Sequence, residues 1–184
     1  MKDFEMLIIN RRSTRKFKAR KLSPDDVHNI LQAGLLAPSS KNSKSYEFVA
    51  VDNRSVLKQL SECKDSGATF VAESVLSVVV MGNKTKSDCW IEDASIAAVF
   101  MQLEAEDLGV GTCWCQVRGR RAMEEDAEQY VRELLNIPYH YGVLCIIGFG
   151  YKGQERNPND LSKLAWEKVH INAFKENNEP LESV

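Results

Sequence analysis

Apolar and polar residues follow two different periods along the chain, and each period predicts one kind of element. Four stretches repeat apolar residues at helical spacing and predict amphipathic helices, at residues 4–10, 23–37, 53–64 and 122–136. Four shorter stretches rich in apolar residues predict strands, at residues 46–51, 74–82, 112–117 and 143–151. Because two helices precede the first strand, this order predicts an α/β or α+β domain and not a plain doubly wound sheet.

A fifth predicted helix, at residues 91–108, is apolar nearly all the way round. Its middle turns carry Ile96, Val99, Phe100 and Leu103 in addition to several alanines. A helix that lacks a polar face is buried on both sides. In a domain of this size, the second covering surface could be another copy of the chain.

The composition is that of an ordinary globular protein. The 184 residues are 43% hydrophobic and 27% charged, which suits one domain with a sizeable core. We expect that domain at residues 1–174 and a polar tail at residues 175–184.

The five scattered cysteines predict reduced core thiols. No N-terminal stretch resembles a signal peptide, and the longest apolar run, residues 75–81, is too short to cross a bilayer, so we expect a cytoplasmic protein without membrane contact.

Basic residues cluster near the N-terminus although the net charge is −2. The segment Arg11-Arg12-Ser13-Thr14-Arg15 follows the first predicted helix, and its guanidinium forks and hydroxyl suit a bound phosphate. A solvated basic turn is the alternative. A second polar loop at residues 38–43 follows the next predicted helix and favours a binding site. A nucleic-acid patch on residues 11–21 is a further alternative, but the acidic net charge and the lack of aromatic residues beyond Phe17 count against a nucleic-acid partner.

Motifs for several other kinds of chemistry are missing. The chain has no Gly-x-Gly-x-x-Gly after a strand and no Walker loop, so a Rossmann or P-loop nucleotide site is unsupported. Cys113 and Cys115 have the wrong spacing for a redox pair or a zinc ribbon, and we expect their thiols on opposite faces of a strand. The histidines, at positions 28, 140 and 170, form no ligand or triad pattern. We therefore expect no metal and no catalytic side chain, which points to chemistry carried by a bound cofactor.

Four segments, in register, resemble the FMN-dependent nitroreductase family. They are Arg-Arg-Ser-Thr-Arg-Lys-Phe at 11–17, Leu-Ala-Pro-Ser-Ser-Lys-Asn-Ser at 36–43, an Asp-Ala-containing apolar helix running into Leu-Gly-Val-Gly-Thr-Cys-Trp at 93–114, and Leu-Leu-Asn-Ile-Pro at 134–138 followed by Val-Leu-Cys-Ile-Ile-Gly-Phe-Gly-Tyr at 143–151. The resemblance covers roughly residues 4–174, in the family's order and spacing. It implies a three-layer α-β-α sandwich of the α+β class, with a central mixed, mainly antiparallel sheet and FMN at the interface of a homodimer.

The resemblance also implies which residues of the basic segment hold the flavin. Arg11, Arg12 and Ser13 would contact the FMN phosphate and ribityl chain. Arg15 would lie near the N1–O2 edge of the ring, where a positive charge favours hydride acceptance. Trp114 ends the segment that passes beside the ring.

Two other regions complete the implied site. Residues of the second polar loop match the loop that family members contribute from the partner subunit, namely Pro38, Ser39, Ser40 and Asn42. Lys163 falls about where the family places a C-terminal basic residue against the phosphate.

The chain departs from the family pattern in three ways. Many members have Gln-Pro-Trp after the second loop, where this chain has Lys44-Ser45-Tyr46. Lys44 would either place a cation near the flavin or point to solvent. Cys115 and Gln116 replace a glycine-containing turn, and the helical insertion that covers the site in larger members has no clear counterpart.

The function that the resemblance implies is an FMN-dependent oxidoreductase. NADH or NADPH would reduce FMN, and a nitroaromatic, quinone or similar small-molecule acceptor would then be reduced at the same site. A flavin-binding protein that does not turn over, used for storage or sensing, is the alternative, because it would share every flavin contact.

Overall fold

A four-stranded sheet forms the middle of the protein, in a computed structural model that describes residues 3–122 and 125–176. The strands are β1 (Tyr46–Val51), β2 (Leu76–Asn83), β3 (Val110–Gln116), β4 (Arg121–Ala122), β5 (Glu125–Asp126) and β6 (Tyr141–Tyr151). The main sheet has the order β1-β2-β6-β3 and every pair of neighbours is antiparallel. A short ladder of β4 with β5 stands apart from it. The edge strand next to the candidate site is β3.

Helices cover both faces of this sheet and complete three layers. They are α1 (Phe4–Asn10), α2 (Pro24–Leu36), α3 (Arg54–Leu60), α4 (Phe70–Glu73), α5 (Trp90–Asp107) and α6 (Ala127–Leu135). Residues of α2 and α5 pack on one face, in a core that includes Ile30, Met101 and Phe149. Residues of α3, α4 and α6 pack on the other face. The three-layer α+β prediction is therefore confirmed, and parallel pairing among the described residues is limited to one bridge between Ser13 and Thr112.

Local sequence explains where the helices begin. The Ser23 hydroxyl accepts a hydrogen bond from the Asp26 amide at 3.0 Å, and Pro24 occupies the first turn of α2, where its missing N–H costs nothing. The helix predicted at residues 122–136 begins later, at Ala127. Asp126 caps it by accepting from the amides of Glu128 and Gln129, and this cap fixes the start.

The thiols of Cys113 and Cys115 lie on one side of the sheet. Cys113 and Cys115 lie in the same core cluster, on the side of α3, α4 and α6, whereas Trp114 packs on the opposite side. Residues two apart in a strand point to the same face because the side-chain period is two. The expectation of opposite faces was therefore wrong.

Helix α5 is buried on one face only within a single chain. Its alanines and Met101 are fully buried, but Ile96 (37%), Val99 (45%) and Phe100 (39%) remain exposed on the other face. The C-terminal segment, residues 152–176, also exposes large apolar side chains, at Leu161, Leu164, Trp166, Val169, Ile171 and Phe174. Residues 177–184 of the predicted tail lie outside the described residues, and the domain boundary stays a prediction.

Candidate functional site

The basic segment 11–15 is held against the edge of the sheet. Arg11 ends α1, with its amide bonded to the carbonyl of Leu7 at 2.9 Å. The Thr14 amide then donates to the carbonyl of Thr112 on β3 at 2.8 Å, and the Lys18 amide donates to Tyr151 at 2.9 Å. Backbone hydrogen bonds therefore fix the path of this segment, while the Arg15 side chain stays exposed.

Two glycines of the sheet allow the segment to approach so closely. A Cβ on Gly111 of β3 would lie 2.8 Å from the Thr14 side chain, and a Cβ on Gly150 of β6 would lie 2.9 Å from Phe17. Real side chains do not tolerate such distances, so glycine is needed at both positions. The close approach places Arg15 beside the end of β3.

An open pocket of about 430 Å³ lies beside Arg15. Its lining is Arg15, Lys64, Asp65, Ser66, Gly67, Trp114, Gln116, Arg120 and Arg121. Four of these residues are basic and one is acidic, and Trp114 supplies an aromatic surface. Its indole N–H donates to Gln116 Oε1 at 2.9 Å, which fixes the ring. The volume lies within the range typical of small-molecule sites, and the excess of basic lining residues favours an anionic ligand.

The thiols of Cys113 and Cys145 are not activated nucleophiles, whereas a hydrogen bond with Cys63 lowers the pKa of the fully buried Cys115 thiol. Burial raises the pKa of Cys113, although the positive charge of Arg15 and a hydrogen bond with Ser13 partly oppose that shift. Burial also raises the pKa of Cys145 well above its ordinary value. A thiol with a raised pKa stays protonated at neutral pH and reacts slowly. These contacts do, however, place Ser13 and Arg15 next to the same strand residue.

Arg12 contacts the C-terminal segment instead of the pocket beside Arg15. Its guanidinium donates to the carbonyl of Asn157. It also lines a smaller cavity of about 200 Å³ together with Asn10, Thr14, Lys152, Gln154, Glu155 and Arg156. The amide of Asn159 donates to the carbonyl of Ile9 at 2.9 Å, so the end of α1 anchors the start of the C-terminal segment.

The second polar loop, together with Lys44 and Ser45 that follow it, is hydrogen-bonded to one carboxylate of α5. Asp93, in the first turn of α5, is 1% exposed and accepts four hydrogen bonds. They come from the Ser40 amide at 2.7 Å and from the hydroxyls of Ser45 (2.9 Å), Ser43 (3.1 Å) and Ser87 (3.3 Å).

These hydrogen bonds set the charge of Asp93. Burial raises its pKa, but the bonds from Ser40, Ser45, Ser43 and Ser87 together lower it below its ordinary value. The carboxyl group is therefore ionised at neutral pH. A depressed carboxyl pKa stabilises the fold above the ordinary pKa of Asp, and this contribution is lost as the pH falls through the lowered pKa.

Lys44 is exposed, and its ammonium group has a partner within its own chain. Its ammonium group donates to the carbonyl of Ala37, at the end of α2, at 2.7 Å. The Tyr46 hydroxyl donates to the same oxygen at 2.6 Å. Lys44 therefore closes its own loop and stabilises the negative end of α2.

Arg15, Arg12 and Ser40 of the predicted cofactor site line three different pockets within one chain. Ser40 lines a cavity of about 320 Å³ with Lys41, Ser43, Lys84, Thr85, Lys86, Ser87 and Asp88. The pocket that contains Arg15 includes none of residues 38–42. Lys163 lies on the exposed C-terminal segment, where its ammonium group is 3.4 Å from Asp160 Oδ2.

Sequence reasoning missed several residues of these two pockets. Lys64, Arg120 and Arg121 line the pocket beside Arg15, and Asp93 organises the polar loop. The only available signal for Asp93 was an acidic residue in an apolar helix, in a chain with serines at 40, 43, 45 and 87.

Among the described residues, no three His, Cys, Asp or Glu side chains group as a metal site, and no helix is long and apolar enough to span a membrane.

Comparison with known proteins identifies the family. The family model described as the Nitroreductase family matches residues 8–79 and 68–151. A solved structure of an FMN-dependent nitroreductase from Clostridium difficile is 43% identical and superposes with a TM-score of 0.90, covering 91% of this chain and 98% of that one.

Curated relatives agree with this match. A protein from Archaeoglobus fulgidus, provisionally named NADH dehydrogenase/NAD(P)H nitroreductase, is 32% identical over 90% of this chain and 100% of its own length. An NADPH-dependent oxidoreductase from Staphylococcus saprophyticus is 26% identical over 91% of this chain and 72% of its own length. The fold, the position of the basic segment and these matches lead to one conclusion: the chain belongs to the Nitroreductase family and is an oxidoreductase.

Proposed function

We propose that the protein is a homodimeric FMN-dependent oxidoreductase. It would take a hydride from NADH or NADPH and pass it to nitroaromatic, quinone or similar conjugated acceptors by a ping-pong mechanism. The observation that carries the proposal is the pocket in which Arg15, Lys64 and Trp114 meet at the edge strand β3. The name of the 43% identical Clostridium difficile protein supports FMN as the cofactor, and the names of the curated relatives support NADH or NADPH as the reductant.

The chain's residues would bind and orient the cofactor. Bound FMN would supply the hydride-accepting centre that the side chains lack. Arg15 and Lys64 would stabilise the negative charge that hydride transfer brings into the pocket. Arg11, Arg12 and Ser13 would hold the phosphate and ribityl chain, and Lys163 would add a cation against the phosphate. Trp114 would pack beside the ring.

The dimer would complete each site. Pro38, Ser39, Ser40 and Asn42 would come from the partner subunit, which agrees with their separation from the Arg15 pocket within one chain. Charged hydrogen bonds contribute about 1.5–3 kcal/mol each. Association costs roughly 4–15 kcal/mol. Burial of the ring between two subunits would supply much of the remaining affinity, so flavin binding and dimerisation should be linked.

Exposed apolar side chains support the dimer. Ile96, Val99 and Phe100 of α5 are exposed next to α1, whose Phe4 is 63% exposed. Phe4, Leu7 and Phe100 share an apolar groove of about 450 Å³. A contiguous apolar surface of this kind marks a protein interface. The exposed apolar residues between Leu161 and Phe174 would cover part of the partner.

A single-turnover experiment tests the proposal against the storage or sensing alternative. The purified protein, loaded with FMN, is mixed anaerobically with NADH or NADPH and the loss of flavin absorbance is followed. A quinone or nitroaromatic acceptor is then added in a second mixing step. The proposal predicts bleaching in the first step and recovery in the second. Flavin that stays oxidised with both nicotinamides would contradict it and favour the storage or sensing role.

A further inference from the structure

The polar loop has a backbone conformation that its residues do not favour. Lys41, Asn42 and Lys44 have φ angles of 50°, 53° and 47°, in the left-handed region. Asparagine adopts this region more readily than most residues, but lysine does not. A conformation of this kind persists only where the surroundings impose it.

The Asp93 carboxylate joins the loop to α5, in addition to hydrogen bonds that Asn83 and Lys86 donate to the carbonyls of Ser45 and Lys44. It is almost completely buried, and both of its oxygens are occupied: one by the Ser40 amide, the other by the Ser43, Ser45 and Ser87 hydroxyls. Three of these donors, Ser40, Ser43 and Ser45, are adjacent in sequence to the residues with positive φ. The Lys44 amide also donates to the Ser39 hydroxyl at 2.9 Å, which closes the loop on itself.

We infer that Asp93 is the positioning residue for the cofactor-binding loop. Its buried carboxylate holds residues 39–45 in place, with Lys41, Asn42 and Lys44 in the left-handed conformation, so that Ser39 and Asn42 are presented to the flavin of the partner subunit. The inference rests on the proposed function, since it assigns the loop to a flavin site. Asp93 itself is buried behind the loop, so it would act on cofactor binding through the loop.

The substitution Asp93→Asn tests this role. An amide offers one acceptor oxygen, whereas the four donors use both carboxylate oxygens, so at least one donor would face an N–H. We expect the dissociation constant for FMN to rise roughly tenfold or more, as expected for the loss of a hydrogen bond to a charged group. The matched control is Glu92→Gln, the same change at the neighbouring exposed carboxylate of α5, and it should leave the constant unchanged.

A glycine substitution separates positioning from a general loss of stability. Glycine adopts positive φ without steric cost, so Lys41→Gly should favour the loop conformation directly. Added to Asp93→Asn, it should recover part of the lost FMN affinity. If Asp93→Asn does not fold, Ser43→Ala removes one donor at a half-buried position and should weaken FMN binding with a smaller effect. Unchanged FMN affinity in both Asp93→Asn and Ser43→Ala would overturn the inference, as would a double variant with no recovery.

A dimer of two different variants tests whether the loop of one subunit serves the flavin site of the other. Subunits carrying Arg15→Ala and subunits carrying Asp93→Asn are co-expressed with different tags, and the mixed dimer is isolated. One of its two sites combines an intact Arg15 with an intact partner loop, so we expect about one tightly bound FMN per mixed dimer and little in either homodimer. Equally low flavin in the mixed dimer would overturn the inference. Failure of the wild-type protein to bind FMN would instead overturn the proposed function.

Discussion

At the scale of single residues, Arg15 is the side chain on which flavin binding depends most in this account. It is exposed, yet backbone hydrogen bonds on both sides fix its position beside Trp114 and Lys64. We expect Arg15→Ala to weaken FMN binding by roughly ten- to a hundredfold, because a hydrogen bond to a charged group contributes about 1.5–3 kcal/mol. Fluorescence titration of the apoprotein with FMN measures this constant.

The control for that substitution lies three residues further along the same segment. Lys18 is exposed and contacts the sheet through its backbone amide, so Lys18→Ala removes the same charge without changing the path of the chain. It should bind FMN as the wild type does. Equal losses in the two variants would mean that general positive charge, and not the placement of Arg15, attracts the cofactor.

Single residues also show where sequence reasoning stops. The basic segment and the polar loop could be predicted because their residues are contiguous and resemble a known family. Lys64 and Asp93 could not, because each belongs to the site only through folding: Lys64 follows α3 and meets Arg15 across the pocket, and Asp93 reaches the loop from α5. The expectation that Cys113 and Cys115 lie on opposite faces was wrong because side chains two residues apart in a strand point to the same face.

At the scale of elements, the contact between the basic segment and the sheet depends on Gly111. A methyl group there would lie 2.8 Å from the Thr14 side chain. We expect Gly111→Ala to push the segment off β3, to lower the free energy of unfolding by about 1–3 kcal/mol as overpacking does, and to reduce FMN occupancy. Denaturant unfolding and the ratio of flavin to protein absorbance measure the two effects.

A second substitution tests whether the steric contact with Thr14 causes the effects of Gly111→Ala. All three Thr14 side-chain atoms near Gly111 disappear in Thr14→Gly, so the double variant should recover FMN occupancy relative to Gly111→Ala alone. An additive loss in the double variant would show that the steric contact with Thr14 is not the reason for the effect.

Most elements could be predicted from periodicity, and the differences have local causes. The cap at Ser23 places the start of α2 where the sequence predicts it. Helix α6 begins later than predicted because Asp126 caps it, and the single turn of α4 is too short for its period to be recognised.

At the scale of the whole molecule, the apolar face of α5 should form the dimer interface. We expect Phe100→Glu to shift the protein towards monomers and to lower FMN occupancy in parallel, because a charge in a buried interface is costly and the flavin site needs both subunits. Sedimentation analysis and the absorbance ratio follow the two quantities together.

Tyr139 provides the control for this substitution. It is 70% exposed and contacts Gln129, so it lies in the opposite helical layer. Tyr139→Glu should leave both the mass and the flavin content unchanged. A monomeric Phe100→Glu protein that kept its full flavin content would contradict the link between assembly and cofactor binding.

The central claim is that two copies of this chain enclose FMN and that the bound flavin carries the hydride. The most direct test is the visible absorption spectrum of the purified wild-type protein, recorded before and after anaerobic addition of NADH or NADPH. The account predicts the spectrum of a bound oxidised flavin that bleaches when the nicotinamide is added. A colourless protein that does not bind added FMN would contradict it.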